Sequence, residues 1–527
     1  MHLDARLLAA ISTLYNIKEP TALQRRLMPH LMSPRNHVVV VEATGTGKTF
    51  TMLLAMLSAT VAEYKALAGE KKPLEYLKMT SLFVVPNREL ALQIEQWAKQ
   101  ILKEAYPELG GMVQSFVSGE PYQAQQIKVL KRHGPPAIAV GTPRRLLELL
   151  SDDGKATGAK DFVGLRRLYI DEVDNLVKIP GKHATEKQRK LRLTKPRPGQ
   201  VLVDTVFEMF GLAALARAQQ PKRLAPTPSR QHKIGWHKDD MAVSKQFGAA
   251  MGAVERGIEA VEIDRDMGKG IVGARTLQVV ASSATASRAL RSWMGRRGWV
   301  GPQPVWVTSE AQRTPPQIKH FCLVVENEHK IRNLQIKDKS PEAALARYRE
   351  ALDAKAAWVP GATPWDSGVE VRSEQQQQTV MEIMAEAASN VIREMQPAGT
   401  VVIFTRADAS TAQFGHVLES YGVRARDIMM RFGDSAMSGG SEPAVFLATE
   451  EAARGLDIPD ASLVLILDVP KTVGSYLHMA GRTGRCGRAG SVVTVVPVGR
   501  LGYYESKMRG IYGALGVQPL RAPFVED

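Results

Sequence analysis

The segment His37–Phe50 constrains the fold of this chain more than any other. Its four consecutive β-branched residues, Val38–Val41, predict a strand buried on both faces. A glycine-containing turn follows, and an apolar run from Phe50 to Val61 predicts a helix. A strand, a glycine-rich turn and a helix in this order form a cradle for phosphate, because backbone N–H groups and the helix N-terminus point at one anion. The sequence therefore predicts a nucleotide-binding α/β domain.

The turn matches the short phosphate-binding motif Thr-Gly-x-Gly-Lys-Thr. Gly45 and Gly47 allow the backbone to approach an anion closely. Lys48 can reach the outer phosphates, and the hydroxyl of Thr49 can hold Mg²⁺. Glu42 stands where the longer motif G-x-x-x-x-G-K-[ST] has its first glycine, so only the short form is complete. The alternative is an ordinary glycine-rich turn, and the Lys-Thr pair argues against it.

The composition narrows the class of protein. The net charge of +15 favours a polyanionic partner, although charge alone does not identify nucleic acid. Apolar residues make up 44% of the chain, and no run of about twenty apolar residues exists, so we expect no membrane span. Cys322 and Cys486 are too few for a disulfide framework or a metal site, which favours a reducing, intracellular compartment with no disulfide partner.

Apolar runs that alternate with helical patterns predict βαβ units and parallel sheets in two successive halves. In the first half, the predicted strands after the cradle are Ser81–Pro86, Ala137–Gly141, Arg167–Asp171 and Thr276–Ser283. In the second half, they are Phe321–Val325, Thr400–Thr405, Ala444–Thr449, Ser462–Asp468 and Ser491–Val496. A Pro-rich linker, 312–319, separates a first domain, 1–311, from a second, 320–527. A cleft between the two halves is the expected place for a ligand.

Two segments interrupt this alternation. Residues 178–238 contain fourteen lysines and arginines against three acids, with clustered prolines, and predict a basic inserted loop that extends over about 178–268. It either becomes ordered on a partner or is a solvated loop. The second segment, about 333–378, ends in the glutamine run Gln375–Gln378 and separates a strand from its helix.

Two adjacent carboxylates end the predicted strand at Asp171. At a strand tip beside a phosphate cradle, Asp171 can hold Mg²⁺ through water, and Glu172 can orient and deprotonate an attacking water. An Asp-Glu pair is by itself common in solvated turns. Its position after the cradle motif favours the catalytic interpretation.

Ten short segments, in order along the chain, resemble the motifs of the DEAD-box family of ATP-dependent RNA helicases, within helicase superfamily 2. In the first half they are Glu19–Gln24 (the Q motif), Thr44–Thr49 (Walker A), Pro86–Ala91 (Ia), Ser118–Gly119 (the small glycine motif), Thr142–Leu146 (Ib), Asp171–Asp174 (the name-giving box) and Ser283–Thr285 (III). In the second half they are Val402–Thr405 (IV), Ala448–Asp457 (V) and His478–Arg485 (VI). Any one of these strings could occur by chance, but ten in the family's order could not.

The resemblance implies two tandem RecA-like α/β domains that bind ATP and Mg²⁺ and hydrolyse ATP when RNA is bound. The residues that it assigns to the nucleotide are Gln24 on adenine, Thr44, Gly45, Thr46, Gly47, Lys48 and Thr49 on the phosphates, and Asp457 on the ribose. Thr49 and Asp171 are assigned to the metal. Those assigned to catalysis are Lys48, Asp171, Glu172 and the arginine fingers Arg482 and Arg485, while Ser283 and Thr285 couple the ATP site to RNA.

The same resemblance implies an RNA path that holds one strand by its phosphates and sugars, which positions RNA without reading its sequence. The residues assigned to it are Arg88, Gly119, Thr142, Arg145, Thr405 and Thr449. Aromatic content of 6% with no aromatic ladder argues against base stacking as the main mode. Leu7 stands where the family has an aromatic residue that stacks on adenine.

The expected function is an ATP-dependent RNA helicase that remodels single-stranded RNA, short duplexes or ribonucleoprotein, such as a ribosomal subunit precursor. The mitochondrial matrix and the nucleolus are the expected places. One departure leaves an alternative open: only Ser435–Pro443 intervenes before Ala444, where the family has a helix that contacts RNA. The alternative is therefore an ATP-dependent RNA clamp or assembly scaffold with little unwinding. A DNA helicase of the same superfamily is a third candidate.

Overall fold

The structure is a computed structural model, and its described residues cover most of both halves of the chain. They are residues 3–42, 45–69, 79–119, 122–151, 162, 164–177, 179, 186, 194–209, 277–284, 288–300, 303–308, 317–327, 330–335, 374–405, 410–428, 444–450, 458, 461–485, 488–497 and 503–525. Internal contacts divide the chain into two compact units, of which the first comprises Met1–Glu42 and Thr46–Ser309 and the second consists mainly of Glu310–Asp527.

The first unit contains a parallel seven-stranded sheet. Its strands are β1 (Val38–Val41), β2 (Ser81–Val84), β3 (Val113–Phe116), β4 (Ile138–Gly141), β5 (Arg167–Ile170), β6 (Gln278–Ser283) and β7 (Val305–Thr308). The spatial order is β3-β4-β2-β5-β6-β1-β7. Six of these strands consist of four residues and the central ones are buried on both faces, as expected where helices cover a parallel sheet. The carboxyl ends of the central strands therefore meet at one edge of the sheet.

Helices flank this sheet on both faces. They are α1 (Ala5–Tyr15), α2 (Ala22–Leu31), α3 (Lys48–Gly69), α4 (Arg88–Ala105), α5 (Tyr122–His133), α6 (Pro143–Ser151), α7 (Val173–Leu176), α8 (Pro198–Met209) and α9 (Arg288–Arg297). Among the described residues, α3 is the only helix long and apolar enough to cross a membrane. Its residues Met52–Leu57 are buried in the core beneath α2 and α4, so its apolar composition is accounted for by packing.

The second unit contains another seven-stranded sheet. Its strands are β8 (Ile318–Asn327), β9 (Lys330–Asn333), β10 (Thr400–Thr405), β11 (Ala425–Asp427), β12 (Val445–Thr449), β13 (Ala461–Ile466) and β14 (Gly490–Pro497). Its helices are α10 (Glu374–Met395), α11 (Thr411–Ser420), α12 (Val473–Ala480) and α13 (Tyr503–Leu515). The spatial order is β11-β12-β10-β13-β14-β8-β9, and only the β8–β9 pair is antiparallel. Two mostly parallel sheets flanked by helices confirm the predicted fold class.

Each strand predicted from the sequence is present; β1 and β10 have the predicted ends, and the ends of the others differ by at most three residues. The four strands that the sequence did not predict, β3, β7, β9 and β11, are the four outer strands of the two sheets. An outer strand pairs on one side only, so it can be short and partly polar and it lacks a long apolar run. β11, with the sequence Ala-Arg-Asp, shows this most clearly.

The prediction of a basic loop over about 178–268 is wrong for residues 198–209, which form helix α8. Val201, Leu202, Val206 and Phe207 are buried in the same core cluster as residues of α6. Most residues from 199 to 207 are buried, so α8 is an apolar core helix that the count of basic residues over the whole segment obscured. Residues 210–268 of the predicted insertion, and most of 178–193, lie outside the described residues.

The prediction for the second insertion and the linker also needs correction at its edges. Gln375–Gln378 belongs to α10, which begins at Glu374, so the glutamine run does not separate a strand from a helix. Ile318 and Lys319 belong to β8, where they pair with β14, and only part of 312–319 can be a linker. Ser435–Pro443 lies outside the described residues.

Candidate ATP site and nucleic-acid interface

The turn between β1 and α3 has the backbone conformation that a phosphate cradle needs. Gly45 and Gly47 have φ values of +79° and +90°, a region that residues with a Cβ rarely adopt. Lys48 opens α3, and its buried Nζ donates a 2.7 Å hydrogen bond to the carbonyl oxygen of Glu42. Burial lowers the pKa of Lys48, while Asp171, Glu172 and Glu42 act in the opposite direction. The ammonium group is thus held at the centre of the turn.

The Q-motif residues support this turn from one side. Thr21 and Gln24 form a capping box at the start of α2: Gln24 N–H donates to Thr21 Oγ1 at 3.2 Å, and Thr21 N–H donates to Gln24 Oε1 at 2.9 Å. Thr21 Oγ1 also donates to the carbonyl of Thr46 at 3.3 Å. A Cβ on Gly47 would lie 3.0 Å from Gln24 Nε2, so the side chain of Gln24 lies directly against the cradle.

Asp171 lies at the carboxyl end of β5 and collects donors from three parts of the first unit. Thr49 Oγ1 donates to its Oδ2 at 2.5 Å. The hydroxyl of Ser282 and the N–H of Glu172 donate to its Oδ1, the latter at 3.0 Å. β5 and β6 pair with Ile170 opposite Ala281, which places the next residues, Asp171 and Ser282, side by side.

Glu172 occupies a backbone conformation that is unusual for a residue with a side chain. Its φ and ψ are 48° and 51°, in the left-handed region, and it is buried at the N-cap of the short helix α7. Non-glycine residues in this region cost about 1–3 kcal/mol and cluster at functional sites. The turn after β5 therefore places Glu172 in a backbone conformation that is typical of functional sites.

The residues present fit the ATP and Mg²⁺ that the sequence resemblance implies. The absent Cβ atoms of Gly45 and Gly47 leave the backbone of the turn open to an anion, and Lys48 supplies a buried cation. The hydroxyl of Thr49 and the carboxylate of Asp171 are adjacent hard oxygen atoms of the kind that Mg²⁺ prefers as ligands.

Motif III is connected to the cradle through the sheet. Ser283 lies at the end of β6 opposite Val41 of β1, and its carbonyl accepts a 3.1 Å hydrogen bond from the N–H of Glu42. Three of the residues expected at the ATP site or at the coupling motif, Thr44, Thr285 and Asp457, lie outside the described residues, so their assignments stay predictions.

Four of the expected RNA contacts lie in the first unit, at the carboxyl ends of β2, β3 and β4. Arg88 opens α4, pairs with Glu89 at 2.9 Å, and its Nη1 lies 3.7 Å from the position that a Cβ on Gly119 would take. Gly119 has a φ of +102°. The structure therefore brings motif Ia and the small glycine motif together.

Thr142 and Arg145 occupy the start of α6. The N–H of Thr142 donates to the carbonyl of Phe116 at 3.1 Å, which joins β4 to β3. The side chain of Arg145 is only 10% exposed and pairs with Glu148 at 2.9 Å. Its Nε donates to Gln126 Oε1 at 3.4 Å. Arg145 therefore ties α6 to α5, and its assignment to RNA stays a prediction.

In the second unit, motif VI forms the end of α12 and the turn after it. Arg482 is 2% exposed, and its Nε donates to the carbonyl of His478 at 2.9 Å. The Nε of Arg485 donates to the carbonyl of Gly481 at 3.1 Å. A Cβ on Gly484 would lie 2.4 Å from Ile318, so glycine is required where the turn packs against β8. Each arginine is thus held by a backbone carbonyl four residues before it.

Thr405 and Thr449 end two neighbouring strands of the second unit, β10 and β12, which pair with each other at these residues. Thr405 is buried, and its Oγ1 has no hydrogen-bond partner among the described residues. Thr449 is half-buried. The two predicted RNA contacts in this unit are therefore side by side at one edge of the sheet.

Family comparisons agree with this arrangement in both halves of the chain. The family model described as DEAD/DEAH box helicase matches residues 21–205, and the one described as helicase conserved C-terminal domain matches residues 385–487. Together they span more than half of the chain, and the first includes both the cradle and the carboxylate pair. The chain belongs to the DEAD-box family of helicases.

Curated relatives of this DEAD-box chain extend over most of its length. The ATP-dependent RNA helicase DBP7 of Mycosarcoma maydis is 26% identical over 551 aligned positions, which cover 95% of this chain and 52% of that protein. DEAD-box ATP-dependent RNA helicase 47B of Oryza sativa subsp. japonica is 25% identical, and the alignment covers 86% of this chain and 63% of that protein. This chain thus spans about half the length of the DBP7 protein that it matches.

Solved structures of similar fold include Saccharomyces cerevisiae Dbp5 bound to RNA and ADP BeF₃, with a TM-score of 0.56 and 17% identity over 99% of this chain and 94% of that chain. Mss116p bound to ssRNA and AMP-PNP has a TM-score of 0.54 and 17% identity over 99% of this chain and 77% of that chain. At such identities the similarity shows a shared fold, that of two RecA-like domains.

Two residues that contact the DEAD-box site had no role of their own in the sequence analysis. Ser282, which donates to Asp171, precedes the motif III serine and could have been found from the register of neighbouring parallel strands, since both residues follow the paired positions Ile170 and Ala281. Thr21 could have been found from its spacing to Gln24, because Thr-x-x-Gln is the capping-box pattern.

Leu7 stands where the family has an aromatic residue that stacks on adenine, and the structure shows its surroundings. Leu7 is fully buried in α1 and belongs to the core of the first unit, so it is not available to a bound base. The aromatic residues nearest the start of α3 form an edge-to-face cluster, with ring centroids 5.6 Å apart for Tyr15 and Phe50 and 5.5 Å apart for Phe50 and Trp97. Tyr15 also donates to Gln100 at 3.2 Å, which fixes its ring.

Proposed function

We propose that this chain is an RNA-dependent ATPase that works as an ATP-dependent RNA helicase, hydrolysing ATP to ADP and phosphate while it remodels RNA. The observation that carries the proposal is the contact chain from Thr49 through Asp171 to Ser282, beside the buried Lys48. It joins the metal ligands of a phosphate cradle to the strand that carries motif III. Membership of the DEAD-box family and relatives named as RNA helicases support it.

The first unit supplies the ground-state binding of the triphosphate. Lys48 neutralises charge on the outer phosphates, and Gln24 faces the adenine side of the cradle. Thr49 and Asp171 would hold Mg²⁺, which would neutralise the charge that develops on the phosphates. Glu172 lies one residue further along the same turn, where it accepts a proton from the attacking water.

The second unit supplies the arginines and the ribose contact. Arg482 and Arg485 act as arginine fingers on the transferring phosphoryl group, and Asp457 binds the ribose. Since these residues belong to the second unit, hydrolysis requires the two units to close on one nucleotide, which couples turnover to RNA binding. Closure bends or separates a bound strand locally, and hydrolysis releases it.

The RNA path runs over the carboxyl ends of the strands in both units. Arg88 and the backbone of Gly119 hold phosphates in the first unit, and Thr142 lies beside them. Arg145 acts by positioning α6, because it is buried in its pair with Glu148. Thr405 and Thr449 hold the strand in the second unit. RNA is preferred over DNA through 2′-hydroxyl contacts.

Two other functions share this site, and one pair of assays separates them. A clamp or assembly scaffold with little unwinding is favoured by the short segment Ser435–Pro443, and a DNA helicase by fold alone. We expect RNA to stimulate ATP hydrolysis, DNA of equal length not to, and a short RNA duplex to be displaced. Hydrolysis with no displacement at any duplex length supports the clamp. Equal stimulation by DNA supports the DNA helicase.

The strong positive charge of residues 178–238 supports attachment to a large ribonucleoprotein such as a ribosomal subunit precursor, in the mitochondrial matrix or the nucleolus. Replacing residues 210–276 with a short Gly/Ser linker leaves α8 in place. We expect this variant to keep RNA-stimulated hydrolysis and to lose co-sedimentation with the particle. Full co-sedimentation would assign particle binding to residues outside 210–276.

A further inference from the structure

A cluster of arginines covers the face of α9 that points away from the core. The sequence of α9, Arg-Ala-Leu-Arg-Ser-Trp-Met-Gly-Arg-Arg, contains four arginines and no acid. Leu290 and Met294 are buried against the sheet, whereas Arg288, Arg291 and Arg296 are exposed. The helix therefore has one apolar face and one strongly basic face.

An exposed aromatic residue lies beside this basic face. Trp306 is the second residue of β7, the outermost strand, and its side chain is 39% exposed. The guanidinium carbon of Arg291 lies over the indole ring, 5.1 Å from its centroid. A large exposed ring with a cation over it, on an outer strand, is not explained by packing of the core.

The helix is fixed in this position by contacts at its other end. Arg297 pairs with Asp204 of α8 at 2.6 Å, and the indole N–H of Trp299 donates to the other oxygen of the same carboxylate at 3.0 Å. Trp293 and Trp299 pack edge to face, with centroids 4.8 Å apart. Arg297 is thus part of the fold, while Arg288, Arg291, Arg296 and Trp306 form a surface, the α9–β7 patch.

The patch is separate from the RNA path of the proposed function. That path begins at the ends of β2, β3 and β4, and the strand order places β5, β6 and β1 between β2 and β7. At a strand spacing of about 4.8 Å, the patch lies about 20 Å from it across the sheet. An RNA held at Arg88 and Gly119 reaches the patch only if it extends well beyond them.

We propose that the α9–β7 patch is a second binding surface for single-stranded RNA, which holds the flanking part of a long RNA by its phosphates and by stacking of one base near Trp306. This inference rests on the proposed function as an RNA-binding ATPase. Arginine charges with an interleaved aromatic ring match the two recurring features of single-strand binding sites. Each arginine that neutralises a phosphate adds to the salt dependence of binding.

The test compares two triple variants of the whole chain that lose the same charge. Arg288→Gln/Arg291→Gln/Arg296→Gln removes the patch, and Lys128→Gln/Lys131→Gln/Arg132→Gln removes three exposed cations from α5, beside the opposite edge of the sheet. Fluorescence anisotropy measures binding of a long and a short oligouridine across a salt series. For the long RNA, we expect the patch variant to bind at least about tenfold more weakly. We also expect the slope of log K against log salt concentration to decrease in magnitude by about two.

Trp306→Ala and Trp306→Phe test the stacking part separately. We expect the alanine variant to bind the long RNA about fivefold more weakly and the phenylalanine variant to recover most of that loss. For the patch variant and the two Trp306 variants, we expect binding of the short RNA and RNA-stimulated hydrolysis to equal those of the unmodified protein.

Three results would overturn the inference. The first is that the two triple variants bind the long RNA with the same affinity and salt slope. The second is that the patch variant weakens binding of the short RNA equally, which would place the patch on the main path. The third is unchanged RNA affinity together with loss of the protein from its ribonucleoprotein, which would assign the patch to an acidic protein partner. Failure of the proposed function shows independently, as unmodified protein whose hydrolysis RNA does not stimulate.

Discussion

The two units have similar sheets but hold their site residues in different ways. In the first unit, side chains from separate elements bond to each other: Thr49 of α3 and Ser282 of β6 both donate to Asp171. In the second unit, Arg482 and Arg485 donate to backbone carbonyls four residues earlier in the same segment. The first arrangement depends on the register of the sheet, and the second on the local geometry of α12 and its turn.

This difference predicts that the first unit contributes to both nucleotide binding and hydrolysis, and the second mainly to hydrolysis. A site assembled from several strands is positioned before any ligand arrives, so its residues should contribute to binding of the triphosphate and metal as well as to hydrolysis. Side chains that donate to a backbone carbonyl of their own segment contribute when that segment meets the reacting phosphate. Changes in the second unit should therefore reduce hydrolysis while nucleotide binding by the first unit is kept.

The largest effect is expected from the double variant Arg482→Lys/Arg485→Lys. Lysine keeps the charge but loses the planar fork that contacts two phosphate oxygens at once. We expect RNA-stimulated hydrolysis to fall by about 10³-fold, in line with the contribution of arginine fingers, with binding of a fluorescent ATP analogue changed by less than about threefold.

Arg488→Lys is the matched control, because Arg488 is exposed and lies three residues beyond Arg485. Thermal unfolding of the double variant should match that of the unmodified chain, which separates a catalytic loss from a folding defect of the buried Arg482. Hydrolysis within about tenfold of normal would show that these arginines do not act on the phosphate, and the comparison between the units would fail.

The next largest effect is expected from Glu172→Gln in the first unit. The amide keeps the size of the side chain but cannot accept a proton from water, so we expect hydrolysis to fall by about 10²–10³-fold. ATP and RNA binding should persist and become interdependent, because the bound state is no longer released by turnover. Glu108→Gln, at an exposed carboxylate, should leave hydrolysis unchanged. Normal turnover of Glu172→Gln would remove this residue from the mechanism.

A smaller effect is expected from Ser282→Ala, which removes one donor from the Asp171 carboxylate. Hydrogen bonds to charged groups contribute about 1.5–3 kcal/mol, so we expect the Mg²⁺ concentration needed for half-maximal hydrolysis to change by about tenfold or more. Ser115→Ala is a close match, because the hydroxyl of Ser115 also donates to a carboxylate, that of Glu95, at the far edge of the same sheet. An unchanged Mg²⁺ requirement in Ser282→Ala would show that the contact does not position Asp171.

The sequence was sufficient where local patterns and tertiary structure agree. The apolar run Val38–Val41 and the glycines that follow it predicted both the central strand and the cradle, because a buried parallel strand and a left-handed turn each require those residue types. Asp171 and Glu172 were predicted from their place at a strand end. These features depend on a few consecutive residues.

The sequence was insufficient where the decisive partner lies far along the chain. Ser282 meets Asp171 only through the β5–β6 register, which a motif does not encode. Arg145 fits its motif, but its pairing with Glu148 and Gln126 buries it. Helix α8 was hidden within a basic segment, since the net charge of the whole segment does not show the short apolar run inside it.

The smallest effect is expected at a buried histidine that contacts α12, the helix in which motif VI begins. The Nδ1 atom of His320, in β8, lies 2.6 Å from the hydroxyl of Tyr476. Tyr476 belongs to α12, the helix that also contains His478. Burial lowers the pKa of His320 to about 4 from its ordinary 6.5. The unfolded chain therefore binds a proton at a higher pH than the folded one, so stability is full above pH 6.5 and is lost as the pH falls toward 4.

Between about pH 7.5 and about pH 5.5, this group should lower the free energy of unfolding by about 1 kcal/mol, measured by urea denaturation. His320→Asn keeps a polar partner for Tyr476 but does not titrate, so it should lose that part of the pH dependence while hydrolysis at neutral pH stays normal. His416→Asn, at an exposed histidine of α11, should retain it. If His320→Asn and the unmodified chain lose equal stability over this range, His320 is not the group that titrates, and the contact between β8 and α12 does not contribute to this pH dependence.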